Sequence, residues 1–557
     1  MFIDNKIWIG CAEDERICML PKMANRHGLI AGATGTGKTV TLKVLAESFA
    51  DAGVPVFLSD VKGDLSGMCK AGEDSENMQE RIKRFSLDEC GFSYQSYSTV
   101  FWDIYGESGI PLRTTISEMG PVLLAKLMDL NDTQADILTC LFKMADDEKL
   151  LLVDMKDLKA ILQYASENAE ELSKEYGNMT KASLAAIIRN VVALEAAGGD
   201  KLFTEPAINI VDFFTNNLDG RGTINILDSR KLAADTTLYG AFLLYLLSEL
   251  FETLPEVGDL EKPRMVFFFD EAHLLFKDMS KALQNKIEQV VKLIRSKGVG
   301  LYFITQSPAD IPDEVLAQLG NKIQHALHAY TPSEEKAIKT AANSFRSNPD
   351  FDTKEALENL GVGEALVSVL DEEGIPTVVE KTKILPPRSL MGPAGDEEIK
   401  KLTVANNLYL KYKDPVDPDS AYEFLQRQES QRNMAIEEEK KQAEEQKAKE
   451  KEEKELEKAA EKEAKEAQKA AEKEQKAIEK QTETERRIAE RAAEKEAAKK
   501  NQAIKKAAKS VASTAAGTVG REIGQSLGKS VGGTFGKKIG GNVAAQLGRS
   551  LMGTLFK

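Results

Sequence analysis

Residues 32–39 have the sequence Gly-Ala-Thr-Gly-Thr-Gly-Lys-Thr, and this octapeptide restricts the fold more than any other feature of the chain. It matches the phosphate-loop pattern Gly-x-x-x-x-Gly-Lys-[Ser/Thr]. A largely apolar run at 27–31 precedes it, and a helix-forming stretch at 40–49 follows it. In such a loop, glycines let successive backbone N–H groups turn towards phosphate oxygens at the start of a helix. The chain is therefore predicted to bind a nucleoside triphosphate within an α/β fold.

The residue types in this loop also predict its ligands. The Lys38 ammonium is expected to reach the β and γ phosphates, and the Thr39 hydroxyl is suited to bind Mg²⁺. ATP and Mg²⁺ are therefore the predicted ligands. The predicted nucleotide-binding residues are Gly32, Ala33, Thr34, Gly35, Thr36, Gly37, Lys38 and Thr39.

A second motif begins with five apolar residues at 265–269 and ends in two carboxylates, Asp270 and Glu271. Unbroken apolarity is typical of a central parallel strand, and open α/β sheets bind ligands at the carboxyl ends of their strands. Asp270 is predicted to hold Mg²⁺, and Glu271 to orient and polarise the water that attacks the γ-phosphate. A strand ending in a solvated acidic turn is the alternative. The phosphate loop favours the metal–nucleotide site, because the two motifs together complete it.

Composition is consistent with a cytoplasmic enzyme. A chain of 557 residues with 42% hydrophobic content can bury a large core. Its five cysteines form no CxxC pair, so reduced thiols are expected. His325 and His328 are interpreted as structural rather than metal-binding. The start of the chain lacks a signal pattern, and no run approaches the roughly 20 apolar residues that a membrane span needs.

Strand-like and helical segments alternate and predict a mostly parallel, helix-covered sheet. The predicted strands are 54–59, 223–227, 265–269, 299–305, 323–329, 364–370 and 376–380. Helical periodicity dominates the region after residue 111, where Asn131 and Gln134 have the spacing of a capping box. The predicted domains are a RecA-like P-loop ATPase core (1–111 and 201–390), a helical insertion (112–200), a linker (391–427), a charged helix (428–510) and a basic tail (511–557). Ordinary crossover helices are the alternative to the insertion.

The last 130 residues differ in character from the rest. Residues 428–510 contain no proline, glycine or aromatic residue, and acidic residues repeatedly precede basic ones by four positions. This pattern predicts a long solvated helix, either single or in a weak coiled coil. In the tail, glycine recurs every fourth residue from 520 to 540, each after an apolar residue. Such a ridge favours close helix packing against a partner, another tail or a lipid surface, with a disordered tail as the alternative.

Several segments together resemble the HerA-like branch of the HerA/FtsK P-loop ATPases. These segments are 32–39, 59–64, 270–273 and 292–308, and the stretches 111–121 and 384–390 resemble the bacterial proteins of this branch. The resemblance covers about residues 1–395. It implies a RecA-like core in a homo-hexameric ring.

The resemblance also implies two further catalytic residues. In the family, the residue matching Gln306 senses the γ-phosphate, and the residue matching Arg295 is an arginine finger acting across a hexamer interface. A polar strand cap is the alternative for Gln306, and an interaction with a helix C-terminus is the alternative for Arg295. Asp60 and Asp64 are expected to form an acidic rim, unless Asp64 caps a turn.

HerA itself carries an N-terminal β-barrel, whereas here only about 26 residues precede the first predicted core strand, so no barrel is expected. The leading predicted function is an Mg²⁺-dependent ATPase that translocates along or unwinds DNA without sequence specificity. The net charge of −15 argues against indiscriminate DNA binding. The alternative is an ATP-gated scaffold that recruits a partner or membrane through its C-terminal helix and tail. A nuclease or a membrane surface is the further partner expected for this tail. The tail and the ten residues before it, 501–557, include nine basic and one acidic residue.

Overall fold

The computed structural model of the protein describes residues 1–276 and 281–497, with a first compact unit of Met1–Glu439 and a second that begins at Lys440. The described strands are β1 (Phe2–Ile3), β2 (Lys6–Ala12), β3 (Glu15–Met19), β4 (Gly28–Ala31), β5 (Val56–Asp60), β6 (Thr99–Asp103), β7 (Ile110–Pro111), β8 (Ile224–Asp228), β9 (Met265–Phe269), β10 (Val299–Thr305), β11 (Asn321–His325), β12 (Glu364–Ser368) and β13 (Glu380–Ile384). The described α-helices are α1 (Lys38–Asp51), α2 (Glu76–Arg84), α3 (Ile116–Leu127), α4 (Asp132–Asp147), α5 (Met155–Glu167), α6 (Ala169–Tyr176), α7 (Lys181–Leu194), α8 (Asp200–Leu202), α9 (Thr236–Thr253), α10 (His273–Phe276), α11 (Lys281–Ile294), α12 (Asp313–Leu316), α13 (Pro332–Asn343), α14 (Thr353–Glu358), α15 (Asp396–Ala405), α16 (Asn407–Tyr412) and α17 (Ala421–Ala497).

One mixed sheet organises the first unit. Its strand order is β1-β2-β13-β12-β11-β4-β10-β9-β5-β8-β6-β7, with β3 paired to β2. All pairings from β11 through β4 to β7 are parallel, whereas those from β11 through β12 to β1 are antiparallel. The predicted mixed α/β class, with a mostly parallel sheet around the phosphate loop, is confirmed.

Strand β9 lies at the centre of the parallel region and is fully buried. Val266 and Phe268 enter the hydrophobic core on one face of the sheet, and Met265, Phe267 and Phe269 enter the core on the other. Phe267 stacks on Phe57 of the adjacent strand β5 at a ring separation of 4.8 Å. Burial on both faces explains the unbroken apolar run, because neither face of this strand meets water.

The last predicted strand, 376–380, is wrong. A turn at Asp371 places Pro376 opposite Leu370 in an isolated bridge, and the ladder strand β13 begins only at Glu380. Proline has no N–H to donate to a strand ladder, which is consistent with an isolated bridge rather than a ladder at Pro376. The period-two pattern lies in β13 itself, where Thr382 and Ile384 are buried and Lys381 and Lys383 are exposed. The hairpin of β2 and β3 was also missed, since no strand was predicted before residue 27.

Helix α1 follows the phosphate loop and is held by a buried polar contact. Its Glu47 accepts hydrogen bonds from the backbone N–H groups of Arg388 and Ser389 and from the Ser389 hydroxyl. Lys43 of the same helix donates to the carbonyls of Leu390 and Met391. The segment after β13 is therefore attached to the helix that carries the phosphate loop.

Helices α3 to α7 occupy most of the region interpreted as an insertion. The capping box of Asn131 and Gln134 is present at the start of α4, as predicted. By length and composition, the stretch Lys181–Leu202 could cross a membrane. One face of this stretch lies in the main core, through Leu184, Ile187, Val191 and Leu194, whereas Val192 on another face is exposed.

Helix α17 begins at Ala421, seven residues before the predicted start of the charged helix, and is described to Ala497. Two of the predicted ion pairs are present, Lys465–Glu461 at 2.6 Å and Lys476–Glu472 at 3.3 Å. The large apolar side chains of this helix, such as Leu456 and Ile488, are exposed. Residues 498–510 of the predicted helix and the predicted tail, 511–557, lie outside the described residues.

Candidate active site

The phosphate loop lies between β4 and α1 and is bonded to the ends of the two strands beside β4. The Gly32 N–H donates to the Thr305 carbonyl at 3.3 Å, and the Ala33 N–H donates to the Ala326 carbonyl at 2.8 Å. The Thr36 hydroxyl closes the loop by donating to the Ala33 carbonyl at 2.8 Å. The loop is therefore anchored to β10 and to the chain just after β11.

A buried histidine lies under this loop. Gly32 has a φ of +152°, and a methyl group on its Cα would lie 2.5 Å from Cβ of His325. Nδ1 of His325 is 2.9 Å from the Glu364 carbonyl, so it carries the proton, and Nε2 accepts from the Thr41 hydroxyl at 2.8 Å. Burial lowers the pKa of His325 to about 4, so the ring is neutral at pH 7. These contacts agree with a structural role; His328 is exposed beyond the end of β11.

The side chain of Lys38 points back into the phosphate loop. Its ammonium donates to the Gly32 carbonyl at 2.5 Å and to the Ala33 carbonyl at 3.1 Å, and the residue is buried. Burial, with the nearby Lys62 charge, lowers the pKa of Lys38. The loop therefore holds a desolvated cation at its centre, where a phosphate oxygen can replace the carbonyls as its partner.

Asp270 follows β9 and is held by its backbone. Its N–H donates to the Ser59 hydroxyl at 3.0 Å, and the Glu271 N–H donates to its Oδ1 at 2.9 Å. Burial raises the pKa of Asp270 to about 7, the Lys62 ammonium opposes this rise, and the Glu271 carboxylate adds to it. A buried carboxylate in this environment is stabilised by a cation, and a carboxylate with a threonine hydroxyl is a donor set that suits Mg²⁺.

Glu271 has an unusual backbone and an unsatisfied side chain. Its φ of +48° is rare outside glycine and is typical of residues held at functional sites. Oε1 forms an ion pair with Lys62 at 3.1 Å. Within the described residues, Oε2 has no hydrogen-bond partner although it is buried, and neither has Nδ1 of His273, 3.4 Å away. A buried acceptor without a partner is the position where a water molecule can be bound.

Lys62 is a charged residue of this site that was not predicted from the sequence. It follows β5, the strand paired with β9 on the side opposite β10. Partial burial opposes its charge, but Asp270 and Glu271 together raise the pKa of Lys62, so it remains an ammonium ion. A signal was present, because a lysine just past the end of a strand next to β9 must lie at the same edge as the two carboxylates.

The acidic residues beside Lys62 differ in role. Asp60 closes the turn after β5 by accepting from the N–H groups of Gly63 and Leu65, at 2.6 and 3.0 Å. Burial and the Asp64 carboxylate raise the pKa of Asp60 to about 6. Asp64 makes no side-chain capping bond to the short helix that follows it. The residue that closes this turn is therefore Asp60, and the alternative in which Asp64 caps it is wrong.

Gln306 and Arg295 lie at opposite ends of β10. This strand runs between β4 and β9, with Thr305 paired to Ala31 and Phe303 paired to Phe269. Gln306 follows Thr305 at the edge that carries the phosphate loop, and its side chain is exposed. Arg295 is half-buried in a short turn of helix before β10, at the other edge of the sheet. The structure brings Lys38, Asp270, Glu271 and Gln306 to one edge but not Arg295.

A buried tyrosine connects two strands of the site. The Tyr239 hydroxyl on α9 lies 2.9 Å from both the Ser59 hydroxyl and the Asp270 carbonyl. Ser59 in turn accepts from the Asp270 N–H. These three groups join β5 to the end of β9, so Tyr239 positions the backbone from which both carboxylates extend.

Together the fold and this site define a P-loop ATPase. The model of the family described as helicase HerA-like, C-terminal, matches residues 7–539, and the chain belongs to this family. The resemblance inferred from the motifs is confirmed.

Curated relatives share between about a fifth and a third of their residues with this chain over the matched regions. The chain is 23% identical over 380 residues to the DNA double-strand break repair helicase HerA of Sulfurisphaera tokodaii, covering 66% of this chain and 67% of that protein. It is 31% identical over 151 residues to the probable helicase MJECL08 of Methanocaldococcus jannaschii, covering 26% and 28% of the two chains.

Two solved structures are similar to about two thirds of the chain. The bacterial conjugative coupling protein TrwBdeltaN70 has a TM-score of 0.45 at 15% identity and covers 68% of this chain and 90% of that one. VirB4 of Thermoanaerobacter pseudethanolicus has a TM-score of 0.44 at 18% identity, and the match covers 69% of this chain and 96% of that one.

Replacing Tyr239 by phenylalanine tests its positioning role. The change removes one buried hydroxyl, so we expect a loss of about 1 to 2 kcal/mol in stability. Turnover of ATP should also fall about tenfold, because the end of β9 loses an anchor and small displacements of catalytic groups are costly. Steady-state ATPase rates and unfolding midpoints would measure both effects.

Tyr245→Phe is the matched control. Tyr245 lies on the same helix and is also buried, but its hydroxyl donates to Glu118 in α3. We expect a similar loss of stability with turnover close to wild type. Equal turnover in the two variants would contradict the positioning role of Tyr239.

Proposed function

We propose that the protein is an Mg²⁺-dependent ATPase that drives movement along DNA, or unwinding of DNA, as a homo-hexameric ring. The observation that carries the proposal is the meeting of Lys38, Asp270, Glu271 and Gln306 at one edge of the parallel sheet. A phosphate-binding cation, a metal-binding carboxylate, a water-orienting carboxylate and an amide are the parts that phosphoryl transfer to water requires.

In this proposal each group has one task. The N–H groups of residues 32–39 and the Lys38 ammonium bind the phosphates of ATP, while Thr39 and Asp270 would hold Mg²⁺. Bound there, Mg²⁺ would neutralise charge that develops on the phosphate oxygens. Oε1 of Glu271 stays on Lys62, and the free Oε2 accepts a hydrogen bond from the attacking water. The water oxygen bonds to the γ-phosphorus as the bond to ADP breaks, and the water proton passes towards Glu271.

The position of Arg295 supports a ring. The seven residues of β10 span roughly 23 Å at about 3.3 Å per residue. An arginine side chain at the far end of this strand cannot reach a nucleotide bound by its own subunit. If Arg295 contacts a γ-phosphate, that phosphate is bound by a neighbouring subunit, as in a closed ring with head-to-tail interfaces.

DNA is the proposed substrate polymer because relatives of this chain are named DNA double-strand break repair helicases. The decisive measurement compares the ATPase rate without nucleic acid, with single-stranded DNA and with double-stranded DNA. We expect DNA to accelerate turnover, since a translocase couples hydrolysis to the polymer that it moves. A rate indifferent to DNA but altered by removing residues 428–557 would favour the ATP-gated scaffold instead.

Two substitutions separate binding from hydrolysis. Glu271→Gln keeps the size of the side chain but removes the proton acceptor, so it should bind ATP and hydrolyse it at least about a hundredfold more slowly. Lys38→Ala removes the cation inside the loop and should lose most of its affinity for ATP. Nucleotide titrations and phosphate release would measure the two effects. Wild-type turnover in Glu271→Gln would disprove its assignment.

Mixing of inactive variants tests the trans role of Arg295. Arg295→Ala and Glu271→Gln should each be inactive alone, yet mixed rings contain interfaces in which an intact Glu271 meets an intact Arg295. Partial recovery of ATPase activity is therefore expected after subunit exchange. Lys38→Ala mixed with Glu271→Gln is the control, because both changes damage the same half of the interface and should show no recovery. Absence of recovery with Arg295→Ala, despite demonstrated exchange, would contradict action in trans.

A further inference from the structure

Helix α2 packs beside the first turns of the phosphate-loop helix. It is a polar helix whose one buried residue is Ile82. Ile82 lies in a hydrophobic cluster with Trp8, Val44 and Leu385, and Val40, next to Thr39, packs against the same cluster. The side chains of α2 next to Ile82 are therefore held close to the start of α1.

One of these side chains, Arg81, lies next to a glycine that contacts the phosphate loop. A methyl group on Gly363 would lie 2.9 Å from Nη2, 3.1 Å from Nη1 and 3.5 Å from Cζ of Arg81. The Gly363 N–H donates to the Thr36 carbonyl at 3.0 Å. A methyl group on Gly37 would lie 3.4 Å from Gly363 Cα. A single residue therefore separates the guanidinium from the backbone of the loop.

The guanidinium of Arg81 is charged, half-buried and weakly engaged. Its Nε donates to Asn77 Oδ1 at 3.1 Å. Among the residues that the structure describes, no carboxylate forms an ion pair with it. Arg84, one turn later on the same helix, is paired with Glu80 at 2.6 Å. Burial and the neighbouring Arg84 charge lower the pKa of Arg81, although an arginine keeps its proton at any physiological pH. A half-buried cation of this kind is stabilised by an anionic ligand.

The side of the loop on which Arg81 lies indicates which part of the nucleotide it meets. Asp270 and Glu271 follow β9, and Lys38 is turned towards the carbonyls of Gly32 and Ala33, so the γ-phosphate is expected on that side. Gly363 lies against Thr36 and Gly37, towards the first turn of α1. Phosphate-loop N–H groups hold the α and β phosphates, and the lysine extends to the β and γ phosphates. The α-phosphate is therefore the anion nearest to Arg81.

We propose that Arg81 binds the α-phosphate of the nucleotide held by its own subunit, through the Nη groups that lie on Gly363. This inference rests on the proposed function, because it assigns a further contact to the same ATP site. The planar guanidinium matches phosphate oxygens in a bidentate arrangement, which a lysine cannot reproduce. Gly363 is required for this placement, because its φ is +79° and any side chain there would collide with the guanidinium.

The test is nucleotide binding by the full chain in the Glu271→Gln background with Mg²⁺, where hydrolysis does not interfere. Dissociation constants would be measured for ATP, ADP and inorganic tripolyphosphate. We expect Arg81→Ala to weaken all three about tenfold, because each carries a phosphate at the α position and loses a charge-assisted hydrogen bond. The affinity of Arg81→Lys should fall between that of Arg81→Ala and that of the chain with Arg81 intact. In the active chain, KM for ATP should rise by a larger factor than kcat falls.

Arg84→Ala is the matched control, since this arginine is on the same helix but is already paired with Glu80. In the same Glu271→Gln background, Arg84→Ala should leave the affinity for all three ligands unchanged. If Arg81 had only a structural role, Arg81→Ala would have a lower unfolding midpoint than Arg84→Ala in the absence of nucleotide. Its loss of nucleotide affinity would then follow from its loss of stability.

Several results would overturn the proposal. Unchanged affinity of Arg81→Ala for all three ligands would do so. A loss of affinity for ATP and ADP, but not for tripolyphosphate, would also do so, because it would place Arg81 on the sugar or the base. The role of Arg81 and the proposed function can be disproved separately. Unchanged affinity in Arg81→Ala removes the role of Arg81 alone, whereas full hydrolysis by Glu271→Gln removes the proposed catalytic site.

Discussion

Parallel pairing of β4, β10 and β9 is the interaction on which the site depends. Thr305 is paired with Ala31, and Phe303 with Phe269, so the residues that follow each strand emerge at one edge. A slip of β10 by one residue would exchange its buried faces, because side chains alternate with a period of two. The aromatic packing of Phe269 on Phe303, at 5.5 Å between rings, resists such a slip. The core therefore sets the relative positions of the phosphate loop, the two carboxylates and Gln306.

Charge balance is the second constraint on this edge. Lys38 and Lys62 lie among Asp270 and Glu271. Burial raises the pKa of Asp270 and Lys62 opposes this rise, while the two carboxylates raise the pKa of Lys62 against its partial burial. Burying any one of these charges alone would be costly, whereas the set is close to neutral. Triphosphate brings negative charge and Mg²⁺ brings positive charge, so the two fit this site better together than either does alone. The Ser59 and Tyr239 hydroxyls add no charge and hold the carboxylate backbone in place.

Features that depend on neighbours in sequence could be predicted from the sequence. The phosphate loop, the apolar strand before Asp270 and the Asn131 capping box are of this kind, because each is defined within a few residues. Lys62, Tyr239 and Arg81 could not be placed in the same way. Their contacts depend on strand order and on the packing of α9 and α2, which bring together residues far apart in the chain. The error at 376–380 was local, since a turn and a proline competed with the alternating pattern that begins at Glu380.

The two arginines would have different tasks in the proposed ring. Arg81 approaches the phosphate loop from α2, over Gly363, so it is available within the subunit wherever ATP is bound. Arg295 is separated from the same loop by the full length of β10, so in the proposed ring it would act across an interface. A subunit with this geometry can hold nucleotide by itself but lacks a cation of its own at the γ-phosphate beyond Lys38 and Lys62, within the described residues. Nucleotide affinity should therefore depend on the folded subunit, whereas fast hydrolysis should depend on assembly.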